Sequence, residues 1–135
     1  MSKRCLVDTN VLLRFLTGEP PQLAHRARAI VARADSGTLE LEIAPLVLAE
    51  TIFTLLSFYE LPKADICNHL IAFLQSRGVI ADALLISALE RYRSHPVHFV
   101  DAYLAEAALA RQLPICSFDR DFSRFSDVTV VDSDS

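Results

Sequence analysis

The chain has 135 residues, of which 52% are hydrophobic and only three are glycine. This length is typical of one domain, and the composition argues against disorder and against two domains joined by a flexible linker. We therefore predict a single domain over residues 1–135. The formal net charge is −4, unlike the basic excess of most nucleic-acid-binding domains, but carboxylates that hold divalent cations would offset it. A phosphate-binding rim would then draw on the arginines: Arg14, Arg26, Arg28, Arg33, Arg120 and Arg124.

No segment predicts a membrane span or a metal knuckle. The first apolar run is interrupted by Asp8, and no stretch approaches the roughly 20 uninterrupted apolar residues that a span requires. We expect a soluble, cytoplasmic protein. Cys5, Cys67 and Cys116 are odd in number and widely spaced, which indicates neither a disulfide framework nor a zinc site. Cys5 and Cys116 fall in predicted strands and are interpreted as small core residues.

Apolar periodicity predicts alternating strands and helices along the whole chain. Strands are predicted at 5–7, 39–43, 78–80, 114–117 and 128–131, and helices at 10–16, 21–36, 45–59, 63–76, 83–94 and 99–111, with a helical turn at 120–125 and a frayed tail at 132–135. The wholly apolar strand at 5–7 is expected to be covered on both faces. This order predicts an α/β fold, a three-layer α/β/α sandwich around a mainly parallel central sheet of about five strands.

Four acidic residues stand among apolar neighbours at separated points of the chain: Asp8, Glu50, Asp101 and Asp119. Asp8 and Asp119 follow predicted strands, so they belong at the carboxyl edge of the sheet, where ligands of such folds bind. Because carboxylates sent toward the interior would repel one another by about 4 kcal/mol per close pair at an effective dielectric near 20, they call for a cation. Oxygen ligands favour Mg²⁺, for which Mn²⁺ substitutes.

Each acid also has a plainer interpretation. Asp8 would serve as the N-cap of the following helix, Asp101 would interact with the dipole of its helix, and Asp119 would be a turn residue. Glu50 has no such role, because it lies inside a predicted helix between apolar residues. Arg14 and Arg120 are candidates for binding substrate phosphate, or else charge partners of the acids.

Four segments together resemble the successive motifs of PIN-domain ribonucleases, in particular the VapC toxins of type II toxin-antitoxin modules. They are Leu-Val-Asp-Thr-Asn-Val-Leu at 6–12, Leu-Ala-Glu at 48–50, Phe-Val-Asp-Ala at 99–102 and Ser-Phe-Asp-Arg-Asp-Phe at 117–122. The resemblance implies a Mg²⁺-dependent endoribonuclease that cleaves structured RNA. It also implies a homodimer and a cognate antitoxin that occludes the active site, with DNA contacted only through that antitoxin.

The resemblance also assigns roles to residues. Asp8, Glu50, Asp101 and Asp119 would be the catalytic, metal-binding quartet. Asp121 either shares the ion or caps the helical turn. Asn10 and Ser117 would lie behind the ligands, with Ser117 standing where the family has a hydroxyl that hydrogen-bonds the first aspartate.

Other acidic-pocket folds fit less well. A haloacid-dehalogenase-like phosphatase needs a second acid two residues after the first, where this chain has Asn10. A response-regulator receiver needs a late lysine, and none follows Lys63. A catalytically silent PIN-like scaffold is the remaining alternative. The helix at 45–59 is apolar nearly all round, which favours an interface.

Overall fold

The computed structural model describes residues 2–132, which form two compact units on either side of the bond between residues 81 and 82. The single domain over residues 1–135 stays a prediction, and residues 133–135 of the predicted tail lie outside the described part. The first unit contains β1 (Lys3–Leu6), α1 (Thr9–Thr17), α2 (Pro21–Asp35), β2 (Leu39–Glu42), α3 (Pro45–Ser57), α4 (Lys63–Leu74) and β3 (Val79–Ile80). The second contains α5 (Ala83–Ser94), α6 (Phe99–Arg111), β4 (Ile115–Cys116), a 3₁₀ turn (Arg120–Arg124) and β5 (Val130–Val131).

The first unit is built on a three-stranded parallel sheet in the order β1-β2-β3. The Leu-Glu-Leu-Glu alternation of β2 buries Leu39 and Leu41 and leaves Glu40 and Glu42 half-exposed, as period-2 patterning predicts. The expectation that the first strand is covered on both faces is wrong. β1 is an outer strand of this sheet, and Leu6 at its end is 73% exposed.

Prolines and glycines set the helix boundaries of the first unit. Pro21 and Pro45 open α2 and α3, where a missing N–H costs nothing. Gly18 ends α1 with φ of 74°, a left-handed conformation that glycine adopts without strain. Gly78 has φ of 81°, and a Cβ placed on it would lie 2.5 Å from the carbonyl oxygen of Ala34. Only glycine therefore permits this approach of the chain to α2.

The second unit pairs α5 with α6 and joins β4 to β5 in parallel. Asp82 is the N-cap of α5, since its carboxylate oxygen accepts a hydrogen bond from Leu84 N at 2.9 Å. The 3₁₀ turn between β4 and β5 is anchored by two phenylalanines, Phe122 and Phe125, which are each 3% exposed.

A cluster of charged side chains fastens the end of this turn to both helices of the second unit. Arg91 on α5 donates from Nε to Glu106 on α6 at 2.6 Å and from both Nη atoms to the carboxylate of Asp127 at 2.9 and 2.7 Å. Its guanidinium also lies 4.8 Å from the ring centre of Phe125. The hydrogen bonds from Arg91 hold the pKa of Asp127 below its ordinary value and raise the pKa of Arg91. The segment between β4 and β5 is therefore held at its carboxyl end.

The fold class predicted from the sequence is confirmed as α/β with parallel strands, but the strands are distributed differently. In the described residues they form a three-stranded and a two-stranded sheet rather than one sheet of about five. The interpretation of Cys116 as a core residue is wrong because it is exposed, Cys5 is half-buried, and Cys67 on α4 is the buried thiol. Over residues 2–132 no helix combines the length and apolar character needed to cross a membrane.

Candidate metal centre

Three carboxylates of the second unit converge on one point. Asp101, Asp119 and Asp121 each offer one carboxylate oxygen, and the three oxygens lie within 4.8 Å of one another. Asp101 is buried at 8% exposure, Asp121 is half-buried and Asp119 is exposed. The group is therefore open on one side, as a site that must admit a ligand requires.

The first turn of α6 positions Asp101. It is the third residue of the helix, and its Oδ2 accepts a hydrogen bond from the backbone N–H of His98 at 3.1 Å. The interpretation of Asp101 as a residue of the helix start is thus correct in part, because it accepts a bond at the amino end of α6. This bond fixes the side chain, and it does not exclude a ligand at the carboxylate.

The loop after β4 positions the other two acids through a chain of short-range hydrogen bonds. Ser117 Oγ accepts from Asp119 N at 2.9 Å, and Asp119 Oδ1 accepts from Asp121 N at 2.9 Å. Asp119 thereby caps the 3₁₀ turn, as its interpretation as a turn residue predicts. The hydroxyl of Ser117 holds the backbone at Asp119, so it orients one acid of the cluster.

Charge within the cluster is only partly compensated. Arg124 lies one turn beyond Asp121, with its Nε 3.5 Å from Oδ1 of that residue. In the described structure, this ion pair joins the acidic cluster to a cationic side chain. It is half-exposed and therefore weak. Three close carboxylates with one weak cationic partner repel one another, and a divalent cation would remove that repulsion.

The donor set fits a hard divalent cation. All three candidate ligands are carboxylate oxygens, which Mg²⁺ and Mn²⁺ prefer over the nitrogen and sulfur donors that zinc sites use. Magnesium is commonly held by one or two carboxylates together with waters and substrate phosphate. Asp101, Asp119 and Asp121 supply carboxylates of this kind.

Asp8 of the first unit lines a different feature, a cavity of about 260 Å³ that it shares with Asn10, Arg14 and Arg26. It stands at the N-cap position of α1, but its side chain makes no capping hydrogen bond. The capping interpretation is therefore wrong for Asp8. Arg14 donates to the hydroxyl of Tyr59 at 3.3 Å, while its Nε is buried without a hydrogen-bond partner.

Glu50 lies on the solvent-facing side of α3. Its neighbours Leu48, Thr51, Ile52 and Leu55 form the buried side of the helix, and Glu50 itself is exposed. The expectation of carboxylates sent toward the interior is thus wrong for Asp8, Glu50 and Asp119, which are exposed. Apolar neighbours in the sequence misled it, because in a helix or a turn adjacent residues face different directions.

The structure therefore brings together Asp101 and Asp119 from the predicted quartet and adds Asp121. Asp8, Glu50 and Asn10 belong to the first unit, and their part in a common site stays a prediction. Arg120 is exposed beside the cluster. Sequence reasoning gave no role to Phe118, which is 87% exposed next to Asp119, nor to the ion pairs of Arg91.

Comparison with protein families gives one match. The model of the PIN domain matches residues 5–128, nearly the whole chain, and the chain belongs to the PIN-domain family. The family's nuclease fold sets aside the receiver and dehalogenase-like alternatives. A search of curated protein sequences found no significant match.

Proposed function

We propose that the chain is a metal-dependent endoribonuclease that cleaves structured RNA in the cytoplasm and acts as the toxin of a toxin-antitoxin pair. The observation that carries the proposal is the convergence of Asp101, Asp119 and Asp121 in a chain of the PIN-domain family. Nuclease folds that place several carboxylates at one point use them to hold divalent cations.

In this proposal Asp101, Asp119 and Asp121 hold Mg²⁺ or Mn²⁺, and Asp8 and Glu50 complete the acidic site. The bound ion would supply charge stabilisation to the phosphodiester and lower the pKa of water. Ser117 keeps Asp119 in place, and Asn10 has the corresponding role beside Asp8. The exposed Arg120 and the half-buried Arg14 bind phosphates that flank the scissile bond.

The reaction is tested with the purified chain and a labelled structured RNA. Cleavage should require Mg²⁺ or Mn²⁺ and should stop when EDTA is added in excess. Calorimetry with Mn²⁺ should show binding to the parent chain and weaker binding to Asp119→Asn. Undiminished cleavage in EDTA would contradict the metal mechanism, and metal binding without cleavage would favour a catalytically silent scaffold.

We further propose that α3 joins two copies of the chain in a homodimer. One side of α3 is buried, yet Leu46 and Phe53 of the helix are 85% and 69% exposed, and Phe58 directly after it is 77% exposed. Large apolar side chains left this exposed close together are typical of an interface. The buried side of α3 includes Leu48 and Leu55, which belong to the core of the first unit.

Light scattering tests the dimer. The parent should have the mass of two chains, and Phe53→Glu should shift it toward one, while Glu60→Gln, an exposed change just beyond the helix, should leave it unchanged. A monomeric parent, or a dimer indifferent to Phe53→Glu, would contradict this interface.

The antitoxin is the second proposed partner. A segment that carries Arg or Lys would place its cation against the acidic site and compete with the metal ion. The product of a small open reading frame beside this gene should copurify with the chain and suppress cleavage. If cleavage is metal-dependent but no neighbouring product suppresses it, the toxin role fails and the nuclease activity stands.

A further inference from the structure

The loop that carries two of the clustered acids leaves one large aromatic side chain in solvent. Phe118 is 87% exposed, the highest value among the large hydrophobic side chains of the described residues. Full burial of a phenylalanine is worth about 1.5–3 kcal/mol, so this exposure gives up folding free energy. The same loop buries Phe122 and Phe125 almost completely. A core is therefore within reach of this loop, and its absence does not explain the exposure of Phe118.

The backbone on both sides of Phe118 is fixed. Ser117 N donates to Val131 O of β5 at 3.1 Å, and Asp119 N donates to Ser117 Oγ at 2.9 Å. Downstream, the bidentate pair between Arg91 and Asp127 holds the end of the segment. The ring therefore projects from a hydrogen-bonded backbone, so little backbone freedom would be lost when it binds a partner.

Acidic and basic side chains lie close to Phe118 in the sequence. Phe118 is adjacent in sequence to Asp119 of the acidic cluster. Two residues further on, Arg120 is exposed, and Arg124 is half-exposed at the end of the turn. An aromatic face near cationic side chains is the combination with which proteins bind single-stranded nucleic acids.

We propose that Phe118 stacks on an unpaired base of the RNA next to the scissile phosphate, so that the site selects a splayed base rather than a paired one. This inference rests on the proposed ribonuclease function and names its substrate class. RNA loops and bulges offer such bases, whereas the stacked bases of a duplex do not. Stacking on an aromatic side chain is worth about 1–3 kcal/mol per base.

Binding is measured by fluorescence anisotropy with an unpaired 12-nucleotide labelled RNA and with the same RNA in a duplex. It is also measured with a series of the unpaired RNA from which each base is removed in turn. Ca²⁺ replaces Mg²⁺ as the oxygen-binding ion. The variants are Phe118→Ala, Phe118→Tyr and, as a matched control, Leu113→Ala, an exposed apolar residue at 48% outside the acidic cluster.

Phe118→Ala should weaken binding of the unpaired RNA by roughly 5- to 150-fold, which is the stacking free energy expressed as affinity. Phe118→Tyr, which keeps the ring, should stay within about twofold of the parent. Leu113→Ala should bind the unpaired RNA with the affinity of the parent. The parent and Phe118→Ala should bind the duplex with equal affinity. One position of the series should abolish the effect of Phe118→Ala, because the ring then has no base to stack on.

Equal affinity of the parent and Phe118→Ala for the unpaired RNA would overturn the inference, as would equal losses on the duplex or an absence of RNA binding by the parent. A change in oligomeric mass with unaltered RNA affinity would place the ring at a protein interface and also overturn it. If Phe118 controls binding but no metal-dependent cleavage occurs, the proposed nuclease fails and the base contact stands.

Discussion

Removing the charge of Arg91 tests how the segment between β4 and β5 is held. Arg91→Met keeps most of the aliphatic stem and deletes the guanidinium. The Arg91 side chain is only 11% exposed. Glu106, with a side chain 18% exposed, loses a hydrogen bond to a charged partner, worth about 1.5–3 kcal/mol. The pair with Asp127, whose side chain is 48% exposed, contributes about 1 kcal/mol, and the contact with Phe125 about 0.5–1 kcal/mol.

Together these losses predict a decrease of about 3–5 kcal/mol in the free energy of unfolding, measured by urea denaturation. The control is Arg111→Met on the exposed surface of α6, which should cost no more than about 1 kcal/mol through the helix dipole. The double variant Arg91→Met with Asp127→Asn should be less destabilised than the two single changes combined, because they remove the same interaction. A free energy of unfolding for Arg91→Met within about 1 kcal/mol of the parent value would contradict these contributions.

Three further predictions concern single residues. The stability advantage of the parent over Asp127→Asn should be constant above about pH 5 and should shrink as the pH falls below about 4. The reason is that a carboxyl with a lowered pKa stabilises the fold only while it is ionised. An advantage that grows in acid would contradict this prediction. Ser117→Ala should reduce turnover roughly 10- to 100-fold, the usual effect of losing an orienting group, and a loss as large as that of Asp119→Asn would instead make Ser117 a ligand. Gly78→Ala should lower the free energy of unfolding by at least about 2 kcal/mol through its clash with Ala34, measured by denaturation. The control Gly18→Ala has the same sign of φ but open space around it, and it should lower the free energy of unfolding by about 1 kcal/mol. Equal losses in the two variants would rule out the clash.

The sequence was sufficient to predict the secondary structure because local signals agree with the fold. Prolines at the starts of α2 and α3, the acid before α5 and the alternation of β2 each specify a boundary or a face that tertiary packing does not override. The distribution of strands between two sheets depends on hydrogen bonds between distant segments, which periodicity does not contain.

The acidic site was predicted in part. The motifs at 99–102 and 117–122 identified Asp101, Asp119 and Asp121, and the structure brings these together. The sequence could not show that Asp119 is exposed, since Phe118 beside it suggested a buried segment, and that apolar side chain is itself in solvent. The charged cluster of Arg91, Glu106 and Asp127 joins residues up to 36 positions apart, a distance over which composition and spacing carry no signal.

The central claim is that Asp101, Asp119 and Asp121 hold the divalent ion with which the chain cuts RNA. The most direct measurement is the single-turnover rate of RNA cleavage as a function of Mg²⁺ concentration for the parent and for Asp101→Asn, which keeps the shape of the side chain and removes its charge. We expect a saturable Mg²⁺ dependence in the parent and a rate at least about 100-fold lower in the variant, with circular dichroism showing an intact fold. Parental rates in Asp101→Asn at every Mg²⁺ concentration would contradict it.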